Sequence, residues 1–196
     1  MRIDSKKDYE YFCKCDVKAA KQSEPYKKAR LLAKLSHYYE LLAVLALRKF
    51  EYVQNCKKGL FGRIELLLVK RKFYKYCALA SVFIVPNTIG PGLYIPHGSA
   101  VISGFASIGK NCMILSGVTV GVGRAGNDAA IIGDNVYIGS GAKIIGGITI
   151  ADDVVIGANA VVTKDITEIG TTVAGIPAKK VSNKSSDGML VKAAEI

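Results

Sequence analysis

The chain has 196 residues, half of them hydrophobic, and 27 Lys+Arg against 16 Asp+Glu give a formal net charge of +11. Its longest unbroken apolar run, Leu41 to Leu47, is seven residues, far short of the roughly 18–20 needed to cross a bilayer. The charged start lacks an apolar signal segment, so the expected location is cytoplasmic. Cys13, Cys15, Cys56, Cys77 and Cys112 are odd in number and follow no zinc or disulfide spacing, which makes them reduced packing residues.

Charge is unevenly placed. Residues 1–82 hold 19 Lys+Arg and 8 Asp+Glu, whereas residues 83–196 hold 8 of each. That shift marks a boundary near residue 82. The first part reads as helical. A short helix is expected around Asp8 to Lys21, and Ser23-Glu24-Pro25 is a helix start with Ser as cap and Pro in the first turn. Leu31, Leu32, Leu35, Tyr38, Tyr39, Leu42, Leu45 and Ala46 then keep helical spacing, which predicts one helix over Tyr26 to Glu51. Gly59 and Gly62 break the next segment. Ile64, Leu67, Leu68, Tyr74 and Leu79 form a last helix that also carries Lys70, Arg71, Lys72 and Lys75. A basic amphipathic helix can lie on an anionic membrane surface, but the reading preferred here is a solvated face of a helix packed on the β-helix or on a neighbouring subunit. Basic clusters without a helix-turn-helix, stacking platform or zinc finger argue against nucleic acid as a partner.

From residue 84 the pattern changes. Ile132, Ile138, Ile144, Ile150, Ile156 and Val162 recur every sixth residue. A period of six belongs neither to an amphipathic helix nor to a half-buried strand; it is a hexapeptide repeat. Three hexads make a triangular coil whose aliphatic residues point inward and stack roughly 4.8 Å along the axis, the spacing of parallel strands. The repeat continues upstream through Ile89, Ile95, Ile102, Ile108, Ile114 and Val120, and the seven-residue step from Ile95 to Ile102 predicts a bulge. In-register winding would put Gly126 in the core and leave a void. Residues 121–131 are therefore expected as a loop thrown out from a corner, with Val120 and Ile132 as successive core residues. Ile84 to Ile176 then makes about five coils, and Pro177, which cannot donate to a ladder, is expected to stop them. Residues 182–196 form a tail, polar and then weakly helical, expected to trail past the last coil.

Only two histidines are present, His37 and His97. His37 sits in a helical stretch and reads as packing or surface. His97 follows an inward Ile95 at a coil corner and precedes Gly98, where neither the inner column nor the turn calls for an imidazole. One histidine in the coils is too few for a zinc centre, so no metal is expected.

Ile89 to Gly98 (IGPGLYIPHG), Ile108 to Cys112, Gly117 to Gly121 and Val173 to Lys179 resemble the serine acetyltransferase branch of the hexapeptide-repeat acyltransferases, most nearly the O-acetyltransferases encoded with surface-polysaccharide genes. The resemblance implies a left-handed parallel β-helix behind a small α-helical N-terminal region (domains 1–82, 83–181 and a tail 182–196). It also implies a homotrimer, or a dimer of trimers, with acetyl-CoA in grooves between coils or subunits. The family's catalytic base falls on His97, a role suited to an imidazole because its pKa is near neutrality. Counting one coil plus the bulge puts Ser116-Gly117 above His97, making the Gly117 amide a candidate oxyanion donor. For CoA the resemblance points to Gly121, Ser140, Gly141, Ala158 and Asn159, with Lys164, Lys179 and Lys180 near its phosphates.

Two family features are missing. The position of the acidic residue that orients the histidine holds Val82, with no Asp or Glu from Leu79 to Ser99, and the extruded loop has no histidine. Both departures favour a sugar hydroxyl of a surface polysaccharide or its precursor as acceptor. Serine O-acetylation is the alternative, and a non-catalytic β-helix scaffold a more distant one.

Overall fold

The structure, a computed structural model, describes residues 2–21, 24–102, 106–123 and 128–194. Ser23, expected as a helix cap, and residues 124–127 of the expected loop lie outside them.

Four helices come first. α1 (Lys6–Ala19) is capped by Ser5, whose Oγ accepts the Asp8 amide at 3.1 Å. The single helix expected over Tyr26 to Glu51 is two, α2 (Tyr26–Leu35) and α3 (Tyr39–Cys56). The break sits at His37, which has φ +55, while the Tyr38 amide turns back to the Ala33 carbonyl at 2.8 Å. This left-handed cap ends a helix without interrupting the apolar spacing, so periodicity alone misses it. α4 (Gly59–Leu79) runs straight through Gly62, which was expected to break it. A Cβ on Gly62 would lie 2.9 Å from the Lys57 carbonyl carbon, so glycine there permits close packing against the end of α3 rather than a break.

The coils follow with three faces. Face one stacks Val101–Ile102, Thr119–Gly121, Lys143–Ile145 and Val161–Val162 in parallel. Face two stacks Ser107–Ile108, Ile131–Ile132 and Thr149–Ile150. Face three stacks Met113–Ile114, Tyr137–Ile138, Val155–Ile156 and Thr172–Ala174, to which Lys179–Ser182 adds antiparallel. Single bridges at Phe83, Ile89 and Tyr94 add a first coil below, and Ile166 completes the last. The columns Ile84-Ile102-Val120-Ile144-Val162 and Ile95-Ile114-Ile138-Ile156-Val173 are buried throughout, which gives the expected five levels. Ile176 is the exception: it is 75% exposed, so the inner column ends at Val173.

Register confirms the two irregular steps. Ile108 pairs with Ile132 while Val120 pairs with Ile144, so Val120 and Ile132 are successive core residues. The first coil absorbs its seven-residue step from Ile95 to Ile102 by shortening the step from Ile84 to Ile89 to five, since Phe83 still pairs with Val101.

Helices and coils share one core. Ala43, Leu47, Phe50, Phe73 and Cys77 are continuous with the coil aliphatics. At the junction the fully buried Arg48 donates to Asp16 at 2.8 Å, to Glu51 at 3.1 Å, and to the carbonyls of Ile89 at 2.8 Å and Gly90 at 2.6 Å. Asp16 in turn accepts the Gly92 and Leu93 amides at 2.8 and 2.9 Å. Burial lifts the Asp16 and Glu51 carboxyls above their ordinary range, and Arg48 with the amide donors pulls them back. α1 and α3 are thus bolted to the first coil by polar contacts that leave no charge alone.

The tail does not trail away. It folds back down the corner between faces two and three, where the Ser186 amide meets the Asp153 carbonyl at 3.0 Å and the Ala194 amide meets Asn111 Oδ1 at 2.7 Å. Lys192 pairs with Asp153 at 3.1 Å and Asp187 at 2.7 Å. The turn after Pro177 makes this return possible.

Candidate active site

His97 lies on the corner between faces three and one, at the lowest coil. Above it at the same corner come Ser116-Gly117, Ser140-Gly141 and Ala158-Asn159. The ladder runs Gly117 N to Ser99 O at 2.7 Å, Gly141 N to Ser116 O at 2.8 Å and Asn159 N to Ser140 O at 2.8 Å. Ser99, Gly117, Gly141 and Asn159 all take positive φ, between +55 and +75, a tight corner turn that glycine and other small residues accommodate. Three coil steps span roughly 14 Å at the strand spacing. Five of the residues singled out from sequence, Gly117, Ser140, Gly141, Ala158 and Asn159, therefore form one straight edge rising from His97.

The backbone just after His97 is held twice. The Gly98 amide donates to Glu40 Oε1 of α3 at 3.1 Å, and the Ser99 amide to the Ala80 carbonyl at 3.3 Å. A Cβ on Gly98 would fall 1.8 Å from that carbonyl oxygen, so only glycine fits between the helical part and the turn. The imidazole itself is exposed. Helix α3 and the Ala80 carbonyl at the end of α4 thus hold the backbone just after His97, whose side chain is left open to ligand.

The geometry corrects one assignment. The Gly117 N–H is engaged by the Ser99 carbonyl, so it is not available as an oxyanion donor; stacking at a β-helix corner uses the amide that the count had placed above His97. The glycine at 141 also has a packing reason of its own, since a Cβ there would lie 2.0 Å from Asn159 Oδ1.

The remaining candidates fall elsewhere. Gly121 ends its strand on face one, toward the extruded loop, and its carbonyl accepts the Gly146 amide at 3.1 Å. Lys164, Lys179 and Lys180 converge on a pocket of about 220 Å³ at the last coil, with Lys180 ion-paired to Glu168. Val82 is buried.

Two residues were missed in the sequence. Glu40 is 58 positions from the glycine it holds, and nothing local marks it. Lys143 brings Nζ to the Gly117 carbonyl at 2.5 Å and Thr119 Oγ1 at 3.2 Å, placing a cation beside the edge; its alternation on a strand gave no hint. The cysteines behave as packing residues: burial pushes the Cys77 and Cys112 thiols up to about 12. Among the described residues no three His, Cys, Asp or Glu side chains gather as a metal set.

Residues 129–164 match the family model described as bacterial transferase hexapeptide (six repeats). The chain is 38% identical over 131 residues to a serine acetyltransferase of Bacillus subtilis, covering 61% of this chain and 60% of that protein. The serine acetyltransferase of Neisseria gonorrhoeae superposes with a TM-score of 0.69 at 28% identity, over 91% of this chain and 68% of that one. A serine acetyltransferase solved in complex with CoA superposes with a TM-score of 0.66 at 25% identity, over 90% of this chain and 71% of that one. The chain spans between 32% and 66% of the length of the curated relatives it matches. The two structural likenesses, over 91% and 90% of this chain, take in the helices as well as the coils. The six-residue repeat and its five stacked levels make the chain a left-handed β-helix, whose residues 129–164 carry the repeat of the bacterial hexapeptide transferases.

Proposed function

We propose that the protein is an acetyl-CoA-dependent O-acetyltransferase with His97 as general base. The observation that carries this is an exposed imidazole, followed by a backbone held at Gly98 and Ser99, at the foot of a straight edge of small residues in a fold whose relatives are serine acetyltransferases. His97 takes the proton of the acceptor hydroxyl as its oxygen attacks the thioester carbonyl. Collapse of the tetrahedral intermediate expels the CoA thiolate, which recovers the proton from the imidazolium. Ser140, Gly141, Ala158 and Asn159 form an edge low enough for the pantetheine arm, and Lys164 and Lys179 offer point charges to its phosphates.

The acceptor best supported is L-serine. The relatives reported above are serine acetyltransferases, and none supports the polysaccharide hydroxyl that the sequence alone favoured. Val82 and the histidine-free loop keep the sugar as a second reading. Release of free CoA thiol, measured with L-serine and with a panel of sugars, separates them. Turnover with L-serine alone is expected; turnover confined to sugars reverses the choice of acceptor. The active assembly is proposed to be a trimer.

Glu40 takes over part of the work of the acidic residue absent at Val82, by fixing the backbone one residue after the base. Glu40→Ala is expected to lower kcat for acetyl transfer by roughly tenfold with little change in KM, because a small displacement of a catalytic group is felt mainly in the reacting geometry. Glu40→Gln, which keeps an acceptor oxygen for the Gly98 amide, is expected to retain most activity. Equal rates for both variants and the parent would exclude the role.

A further inference from the structure

α4 presents two different surfaces. Phe73 and Cys77 turn inward to the core. On the other side Leu60, Phe61, Ile64, Leu67 and Leu68 are 51–87% exposed. At roughly 100° per residue these five fall within about 120° of arc centred opposite Phe73. This is a continuous apolar stripe with no partner among the described residues, and single exposed apolar side chains would not line up in this way. Arg71 and Lys75 extend the same arc toward the end of the helix, and Lys57, Lys58 and Arg63 flank its start.

A groove lies beside the stripe between α2, α3 and α4. Arg30 and Lys34 of α2, Lys49 of α3 and Lys72 of α4 line it over a floor that includes Leu42 and Leu45. Lys49 is paired with Glu65 at 2.6 Å. Arg30, Lys34 and Lys72 make no ion pair among the described residues, and no carboxylate lines the groove. Burial lowers the pKa of Lys72, and Lys34 and Arg30 push the same way. Three cations held together over an apolar floor call for an anion on an apolar body.

We infer that the outer face of α4, with the groove beside it, docks on an anionic lipid bilayer, the stripe entering the acyl boundary and the lysines and arginines meeting lipid phosphates. Charge decides between this occupant and a second copy of the same face. Residues 1–82 hold 19 Lys+Arg against 8 Asp+Glu, so two such faces would meet with like charges around an apolar centre, whereas an anionic surface complements both parts. The helix lies on the surface: among the described residues no helix is long and apolar enough to cross a membrane.

The test is flotation of the full chain with vesicles of about 70 mol% phosphatidylcholine and 30 mol% phosphatidylglycerol, against phosphatidylcholine alone. Recovery with the anionic vesicles only is expected, with loss at about 1 M NaCl, where screening shortens to about 3 Å. Leu67→Glu/Leu68→Glu is expected to abolish recovery, and Lys34→Glu to weaken binding roughly fivefold or more. Both sites are exposed, and sedimentation of the same samples reads the assembly. An unchanged mass in the double variant fits the inference. No recovery with anionic vesicles, recovery undiminished in the double variant, or a fall in its mass, the mark of a second copy on the stripe, overturns it.

Discussion

His97→Ala is expected to lower kcat/KM for acetyl transfer by about 10²–10⁴-fold, the usual contribution of a positioned general base. The substitution removes an exposed ring that makes no packing contact with the inner column, so the fold and CoA retention should survive. The pairing of a large rate loss with an unchanged melting profile is the signature sought. His37→Ala serves as the comparison: that imidazole lies at the α2–α3 break, 5.8 Å from the Tyr39 ring, and its loss should leave the rate untouched. A parent-like rate for His97→Ala would remove the base from the mechanism while leaving the architecture as described.

Removing Arg48 is expected to have the largest effect on stability. Arg48→Ala strands two buried carboxylates, Asp16 and Glu51, and two carbonyls of the first coil. Breaking a buried pair from one side costs about 3–5 kcal/mol, to be read as a lower urea midpoint in equilibrium unfolding. Asp16→Asn keeps much of the shape, so a double-mutant cycle isolates the coupling. The combined loss should be clearly less than the sum, because the two side chains form one network. Additive losses would mean that the cluster does not act as a unit. The cluster also holds the Gly92 and Leu93 amides, a few residues before His97. A residual activity that falls faster than the folded fraction would show that the bolt tunes the site as well as the fold.

The coils were legible because their signal is periodic and local. An aliphatic residue every sixth position and small residues at the corners have one geometric solution, and even the irregular steps at Ile95–Ile102 and Val120–Ile132 were countable. His97 stood out because a coil corner has no structural need of an imidazole. The helical part was less legible. The single helix expected over Tyr26 to Glu51 ends at His37 because a left-handed cap leaves the apolar spacing intact, and Gly62 was taken for a breaker where close helix packing requires it. The acceptor, argued from two missing residues, pointed to a sugar, whereas the relatives are serine acetyltransferases.

The sequence by itself determined the β-helix, the corner column and the candidate base, since each follows from residues close in the chain or spaced by a fixed count. Only the tertiary structure decided which amides are engaged and which side chain holds the backbone beside the candidate base. The Gly117 amide belongs to Ser99, and Glu40 reaches Gly98 across 58 positions. The reason is physical: a hydrogen-bond donor has one proton to give, and where it goes depends on neighbours brought close by packing, at distances that no repeat encodes.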